Sequence, residues 1–234
     1  MDGPAPASVM DRPFADLQPF LEFCRWRGFD PRSIVDVGAN RGMWTRMARQ
    51  VFPRAEFLLV EPQPEMRSSL DALCAELPGV QWSETACGAR DETRLQTIWS
   101  DLEGSSFLPL RDEERLARGE QRPVRLRRLD DLLAERSFPT PDFVKLDVQG
   151  FELEVLDGCP SLFGRTELFL LETSLFVFLP ELPLLREVID YMAARGYEIY
   201  DLAGRIRRPV DGALGQLDIV FARRHGFFRQ HDLW

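Results

Sequence analysis

Histidine is scarce in this chain, and so are paired cysteines and long apolar runs. Only His225 and His231 occur, both close to the C-terminal end. The cysteines Cys24, Cys74, Cys87 and Cys159 stand far apart, with no C-x-x-C pair. No zinc pattern forms from such a set, and scattered single cysteines in apolar contexts read as reduced core residues. The longest apolar stretches, Leu168–Leu171 and Leu175–Leu179, fall far short of the ~20 residues that cross a bilayer. The opening residues lack the basic stretch and apolar run of a secretory signal. Positive charge in excess is missing too: the formal net charge is −9. Broad nucleic-acid binding normally leaves a basic footprint, so neither nucleic acid nor membrane is an expected partner. Arg122, Arg125, Arg127 and Arg128, and Arg205, Arg207 and Arg208, read as solvated or ion-paired faces. What remains is a cytoplasmic, enzyme-sized domain.

The 234 residues, 44% hydrophobic and 29% charged, suit one large α/β domain with a single substantial core. Residues 1–12 are small, polar and proline-containing, the composition of a flexible tail ahead of a single domain over 13–234. Helical spacing of Phe14, Leu17, Phe20, Leu21 and Trp26 predicts a helix near 13–27, ended by Gly28. Strand and helix patterns then alternate. Strands are expected at Ser33–Val37, Glu56–Val60, Val80–Ser83, Phe143–Asp147, Glu167–Leu171, Tyr197–Leu202 and Gln216–Ala222. Helices are expected at Gly42–Val51, Pro64–Leu77, from Phe151 and at Leu184–Arg195. Such alternation predicts a mostly parallel sheet covered on both faces. Residues 88–140 break the rhythm. There we expect extra strands near Leu95–Trp99 and Val124–Arg127, a mobile loop, and a short helix at Leu129–Ala134, together a lid and substrate region.

The turn in VDVGANRG, residues 35–42, places Asp36, Gly38, Asn40 and Gly42 between the first strand and its helix. In doubly wound sheets ligands sit outside the carboxyl ends of the strands, and glycine permits close backbone approach there. A dinucleotide fingerprint reads G-x-G-x-x-G and aims a helix at a pyrophosphate. Here the third glycine is absent, and an aspartate on the strand would repel a pyrophosphate. A ligand carrying positive charge and no phosphate fits better, and S-adenosylmethionine, with its sulfonium and α-amino group, is such a ligand. Glu61, ending the second strand in VEPQPE, is suited to accept hydrogen bonds from ribose hydroxyls. The small residues Ala86 and Cys87, after the third strand, leave room for an adenine ring.

With these motifs the chain resembles the class I S-adenosylmethionine-dependent methyltransferases, and more narrowly the FkbM methyltransferase family. The resemblance is carried by VDVGANRG, by VEPQPE at 60–65 and most specifically by VKLDVQGFELEVLDG at 144–158, with smaller echoes at Ser105-Ser106, Leu129-Asp130 and LLET at 170–173. It implies a Rossmann-like, doubly wound seven-stranded sheet with the last strand antiparallel. It implies methyl transfer from S-adenosylmethionine to a hydroxyl of a secondary-metabolite or carbohydrate-like acceptor. It also implies that Asp36, Gly38, Asn40 and Gly42 line the methionine end of the cofactor, that Glu61 and its neighbour Pro62 flank the ribose, and that Asp147 lies near the reactive methyl.

Lys145 and Asp147 share one face of a strand that should be apolar, so each is paired or functional. Methyl transfer to oxygen needs a nucleophile in line with the methyl and a base for its proton. Neither histidine is well placed for that. Asp147 is the first candidate base and Glu172 the second. Lys145 is a third if burial lowers its pKa. Glu152, in the first turn of the next helix, either answers the helix dipole or faces the site. Asp147, Glu152 and Glu172 are also the set that would gather a divalent cation, so metal dependence stays open. Ser105, Ser106 and Phe107 are candidate acceptor contacts, the arginines at 122–128 would greet an anionic acceptor, and Phe176, Phe178 and Trp99 would form an apolar acceptor pocket. A homodimer is left open. Two other readings compete: a non-catalytic cofactor-binding or scaffold protein with this fold, and a dinucleotide-dependent oxidoreductase.

Overall fold

A computed structural model describes residues 11–108 and 112–231. In chain order the elements are α1 (Leu17–Trp26), β1 (Ser33–Val37), α2 (Met43–Val51), β2 (Glu56–Val60), α3 (Arg67–Glu76), β3 (Val80–Ser83), β4 (Ala86–Cys87), β5 (Glu92–Thr97), α4 (Glu113–Ala117), β6 (Gln121–Arg127), α5 (Leu129–Glu135), β7 (Phe143–Leu146), α6 (Glu152–Asp157), β8 (Leu168–Ser174), α7 (Leu185–Ala194), β9 (Tyr197–Arg207) and β10 (Leu214–Arg223). Seven strands form one sheet in the order β3-β2-β1-β7-β8-β10-β9. The pairs β1–β2, β2–β3, β1–β7 and β7–β8 are parallel, and the last strand, β10, runs antiparallel to both neighbours.

Period-two alternation sends successive residues of each strand to opposite faces, and both faces are buried. Val35, Leu58, Val144 and Phe169 pack under Leu132, Val155 and Met192 of α5, α6 and α7. Ile34, Phe57, Phe143 and Leu168 pack under Phe20, Trp44, Ala48 and Leu70 of α1, α2 and α3. The strands read as apolar runs because neither of their faces meets water.

Residues 88–140 hold the expected extra strands and short helix, and further elements besides. A second sheet, β4-β6-β5, stands beside the main one. The two-residue β4 went unread, and β5 lies at 92–97 rather than 95–99. The short α4 also went unread. It starts from Asp112, whose carboxylate accepts the N–H groups of Glu114 and Arg115, and it buries no residue, so it shows no apolar period. Residues 109–111, within the expected loop, lie outside the described residues, as do residues 1–10 of the expected tail. Arg12 pairs with Asp201 and its guanidinium lies over the Phe23 ring.

The strand order reverses direction between β1 and β7, and the loops leaving these strands are pressed together. Gly38 has φ +78, and a Cβ on it would overlap the carbonyl oxygen of Asp147. The Asp147 N–H donates to the Val37 carbonyl at 3.0 Å. The first glycine of the turn therefore admits the neighbouring strand's own backbone. Gly42, φ +75, has its Cβ position taken by the Leu73 side chain of α3, so the second glycine admits a helix.

Gly38→Ala is expected to lose more than ~2 kcal/mol in denaturant unfolding, because the overlap adds to the ~1–2 kcal/mol of a left-handed non-glycine residue. Gly119, φ +72, has nothing within 4 Å of its Cβ position, so its alanine variant isolates the backbone term. Equal losses at the two positions would show that the first turn has room for a side chain.

Candidate functional site

A cavity of about 470 Å³ opens at the carboxyl ends of β1, β2, β7 and β8 and beside the amino end of the antiparallel β10. Gly38, Asn40, Glu61, Pro62, Ala86, Cys87, Ser105, Phe107, Lys145, Asp147 and Glu172, all proposed from sequence, line it. At one end the Glu61 carboxylate is buried and accepts two backbone N–H groups: Asn40 to Oε2 at 2.8 Å and Gln63 to Oε1 at 3.0 Å. Burial raises its pKa, and those two hydrogen bonds work against the rise. Asn40 itself is left-handed, φ 48, a conformation asparagine tolerates.

At the other end Lys145, the chain's only lysine, is buried between two carboxylates. Its Nζ donates to Asp36 Oδ1 at 3.3 Å and to Asp147 Oδ2 at 3.2 Å. Burial opposes its charge, but Asp147 and Asp36 outweigh burial and hold its pKa above the ordinary lysine value. Its two ion pairs thus favour the charged form of Lys145 over the role of a base. Asp36 lies in register with Lys145 across the β1–β7 pair. It is wholly buried, accepts the Thr45 hydroxyl at 2.7 Å and does not line the cavity. The expectation that Asp36 contacts a cofactor is corrected: it anchors Lys145. The same holds for Gly42, which packs on Leu73 and is absent from the cavity wall.

The loop leaving β7 is clamped from two sides. Glu152 Oε1 accepts the N–H groups of Val148, at 3.1 Å, and Gly150, at 3.2 Å. The Ser106 hydroxyl donates to the Gln149 carbonyl at 2.7 Å and accepts the Leu108 N–H. Glu152 and Ser106 are buried and neither lines the cavity, so both leave the list of acceptor contacts. The clamp holds Gln149 left-handed, φ 54, with its amide inside the cavity. Gln149 Nε2 donates to Asp147 Oδ1 at 3.0 Å and Glu172 Oε2 at 2.7 Å, and Gln216 Nε2 donates to Glu172 Oε2 at 2.8 Å. Burial, reinforced by the negative charge of Asp147, raises the Glu172 pKa well above the usual carboxylate range. Asp218 on β10 also lines the cavity, and burial, then Asp147, pushes it up to about 6. A Cβ at Gly204 on β9 would overlap the Asp218 carboxylate, so this glycine makes its room.

Sequence reasoning missed Gln149, Gln216 and Asp218, together with Gln63, Gln96 and Trp44. The last three each hold a buried polar atom with no partner among the described residues: Gln63 Oε1, Gln96 Oε1 and Trp44 Nε1. All three residues line the cavity. The divalent-cation set does not assemble. Glu152 is engaged by backbone, the Gln149 amide separates Asp147 from Glu172, and the described residues hold no metal-ligating group of three or more. Trp99 lies under Arg115, 4.3 Å from guanidinium to ring centre, away from Phe176 and Phe178. Arg122 pairs with Glu65, Arg125 and Arg127 with Asp91, and Arg128 with Asp130 and Asp131, so this cluster meets the chain's own acids. No helix of the described residues is long and apolar enough to cross a membrane.

This arrangement defines a class: an α/β protein of Rossmann-like topology with a crevice at its topological switch point, whose wall includes the carboxylates of Glu61, Asp147, Glu172 and Asp218. The "Methyltransferase FkbM domain" family profile matches residues 36–199, and the chain belongs to that family. Among similar proteins is "Methyltransferase sdnD" of Sordaria araneosa, 30% identical over 153 residues, covering 53% of this chain and 59% of that protein. Another is "2-O-methyltransferase NoeI" of Sinorhizobium fredii, 27% identical over 192 residues and 76% of each. Among solved structures, the 1,6-didemethyltoxoflavin-N1-methyltransferase of Burkholderia thailandensis superposes with a TM-score of 0.49 at 11% identity, over 95% of this chain and 93% of that one.

Burial pushes Glu152 up to about 7 from an ordinary 4.5. The folded chain then keeps a proton that the unfolded chain has lost, a stabilisation complete below about pH 4.5 and lost as pH rises through about 7. Glu152→Gln keeps an acceptor for Val148 and Gly150 and removes the titration. The variant is expected to exceed the parent in stability at about pH 8 by up to ~3 kcal/mol, at 1.36 kcal/mol per pKa unit, and to match it near pH 4. Parallel unfolding curves across that range would show that Glu152 stays ionised in the fold.

Proposed function

We propose that the protein transfers a methyl group from S-adenosylmethionine to a hydroxyl of a small-molecule acceptor. The observation that carries this reading is Glu61. Each of its oxygens already holds one backbone N–H and keeps a further lone pair, which suits the two adjacent hydroxyls of a ribose. The rest of the wall fits the same ligand. The unpartnered Gln63 Oε1, Gln96 Oε1 and Trp44 Nε1 offer two acceptors and a donor, and the small residues Ala86 and Cys87 line the same cavity. Glu61, Asp147, Glu172 and Asp218 make the crevice acidic, and the charge of Lys145 is already shared between Asp36 and Asp147. Such a wall favours a cationic ligand and disfavours the pyrophosphate of a dinucleotide.

When bound, S-adenosylmethionine supplies a methyl group on a positively charged sulfur. The chain must then orient the acceptor hydroxyl and take its proton. We assign the base to Glu172 rather than Asp147. Asp147 is already engaged by the Lys145 ammonium and the Gln149 amide. Both amides on Glu172 reach Oε2, and Oε1 has no donor among the described residues. A carboxylate with a raised pKa is also the stronger base near neutral pH. Asp147 orients cofactor and acceptor, and Gln149 fixes its spacing from Glu172. Similarity to the 2-O-methyltransferase NoeI supports a hydroxyl as the acceptor group. The paired arginines around 122–128 support a small molecule over nucleic acid.

Methyl-labelled S-adenosylmethionine incubated with a panel of hydroxylated small molecules, sugars and acyl sugars included, tests the reading. Glu172→Gln is expected to slow transfer by ~10²-fold or more, the usual scale for a general base, with S-adenosylhomocysteine affinity unchanged. The parent's rate should climb with pH as Glu172 loses its proton, a limb absent in the variant. Glu61→Gln should weaken S-adenosylhomocysteine by ~1–3 kcal/mol, the scale of a charged hydrogen bond. Wild-type transfer by Glu172→Gln removes the base assignment, and unchanged affinity in Glu61→Gln removes the ribose assignment.

A further inference from the structure

A second pocket of about 570 Å³ adjoins the first. It forms where β9 and β10 run on beyond the parallel strands, facing the segment that follows β8. Phe176, Val177 and Phe178 line it from one side, and Ile206 and Val210 from the other. These five apolar side chains are 40–77% exposed. Open apolar surface in one concavity ordinarily marks a binding site.

Two features say what binds. The first is continuity: Ile206 and Gln216 line both this pocket and the main cavity. Gln216 is the residue whose amide holds Glu172, so the pocket opens beside the proposed base. The second is charge. The Arg208 guanidinium lies 4.0 Å from the Phe176 ring centre and pairs with Asp211. Arg207 donates only to the Gly212 carbonyl and has no carboxylate partner among the described residues. In a chain of net charge −9 this is a cation left for an outside anion.

We propose that this pocket seats an aliphatic chain of the methyl acceptor, with an anionic group of the same molecule against Arg207. The inference rests on the methyltransferase reading, and it makes the acceptor an acidic amphiphile whose hydroxyl reaches Glu172 while its apolar chain leaves along Phe176–Phe178. A fully polar sugar would leave the five apolar side chains in water. A second copy of the chain would cover them without using the opening toward Glu172.

Dodecanoate, an aliphatic chain with one carboxylate, is the probe. Calorimetry below its micelle concentration should show one dodecanoate per wild-type chain. Val210→Asp and Phe178→Ser, both at exposed positions, should each weaken it on the order of tenfold, and Arg207→Gln by about fivefold, since burying a few methylene groups or one ion contact is worth that much. S-adenosylhomocysteine affinity, measured on the same samples, should stay within about twofold, because none of these residues touches Glu61. Thermal unfolding of each variant checks that it is folded. Dodecanoate binding unmoved by all three substitutions overturns the proposal. So does a wild-type dimer in sedimentation that Val210→Asp turns to monomer without saturable dodecanoate binding. Failure of wild-type protein to bind S-adenosylhomocysteine, with dodecanoate bound as expected, counts against the methyltransferase reading and not against the pocket.

Discussion

The ammonium of Lys145, held between Asp36 and Asp147, is the constraint on which the site depends. Every other cationic side chain apart from the histidines is an arginine, and only here does the chain use the compact ammonium. The choice has a physical reason. Asp36 and Lys145 lie in register in adjacent parallel strands, and a single ammonium nitrogen is a more compact charge than a planar guanidinium. Removing one partner from such a buried pair generally costs ~3–5 kcal/mol, because a charge is left alone. The strands that meet at the crevice are therefore locked both by backbone, through Gly38 and Asp147, and by this ion cluster.

The cluster also sets the protonation of its surroundings. Asp36, Asp147, Glu172 and Asp218 are four carboxyl groups around one ammonium. Lys145 offsets the charge of the two aspartates it touches. Glu172 and Asp218 lie farther off, lose water on folding and feel the negative charge of Asp147, so both hold protons more tightly than usual. The amides of Gln149 and Gln216 can serve Glu172 in either state, since a carboxyl oxygen accepts whether or not its partner oxygen carries the proton. A carboxyl group poised this way beside a cavity is suited to receiving a proton.

Much of this was legible in the sequence where one residue dictates one local geometry. Strand and helix order followed from period and punctuation. Gly38, Asn40 and Glu61 could be read as a ligand-facing turn because glycine, asparagine and a terminal carboxylate have few other uses there. Gly42 misled, because a glycine that makes room for Leu73 looks the same in sequence as one that makes room for a ligand. Asp36 misled similarly, since an acid on a strand before a glycine turn says nothing about whether it faces a cavity or a lysine. Gln149, Gln216 and Asp218 gave no signal: Gln216 meets Glu172 across 44 residues of chain, and only strand register brings them together. The far end of β9 was missed because Arg205, Ile206 and Arg207 leave the covered part of the sheet and drop its apolar alternation.

The claim that unites fold, crevice and family membership is that Glu61 and the unpartnered groups of the same cavity hold an adenosyl sulfur compound. The most direct measurement is calorimetric titration of the purified protein with S-adenosylmethionine, S-adenosylhomocysteine and NAD. Saturable binding of both sulfur ligands at one per chain, with no heat from NAD, is the predicted result. Binding of NAD, or of neither sulfur ligand, would contradict it.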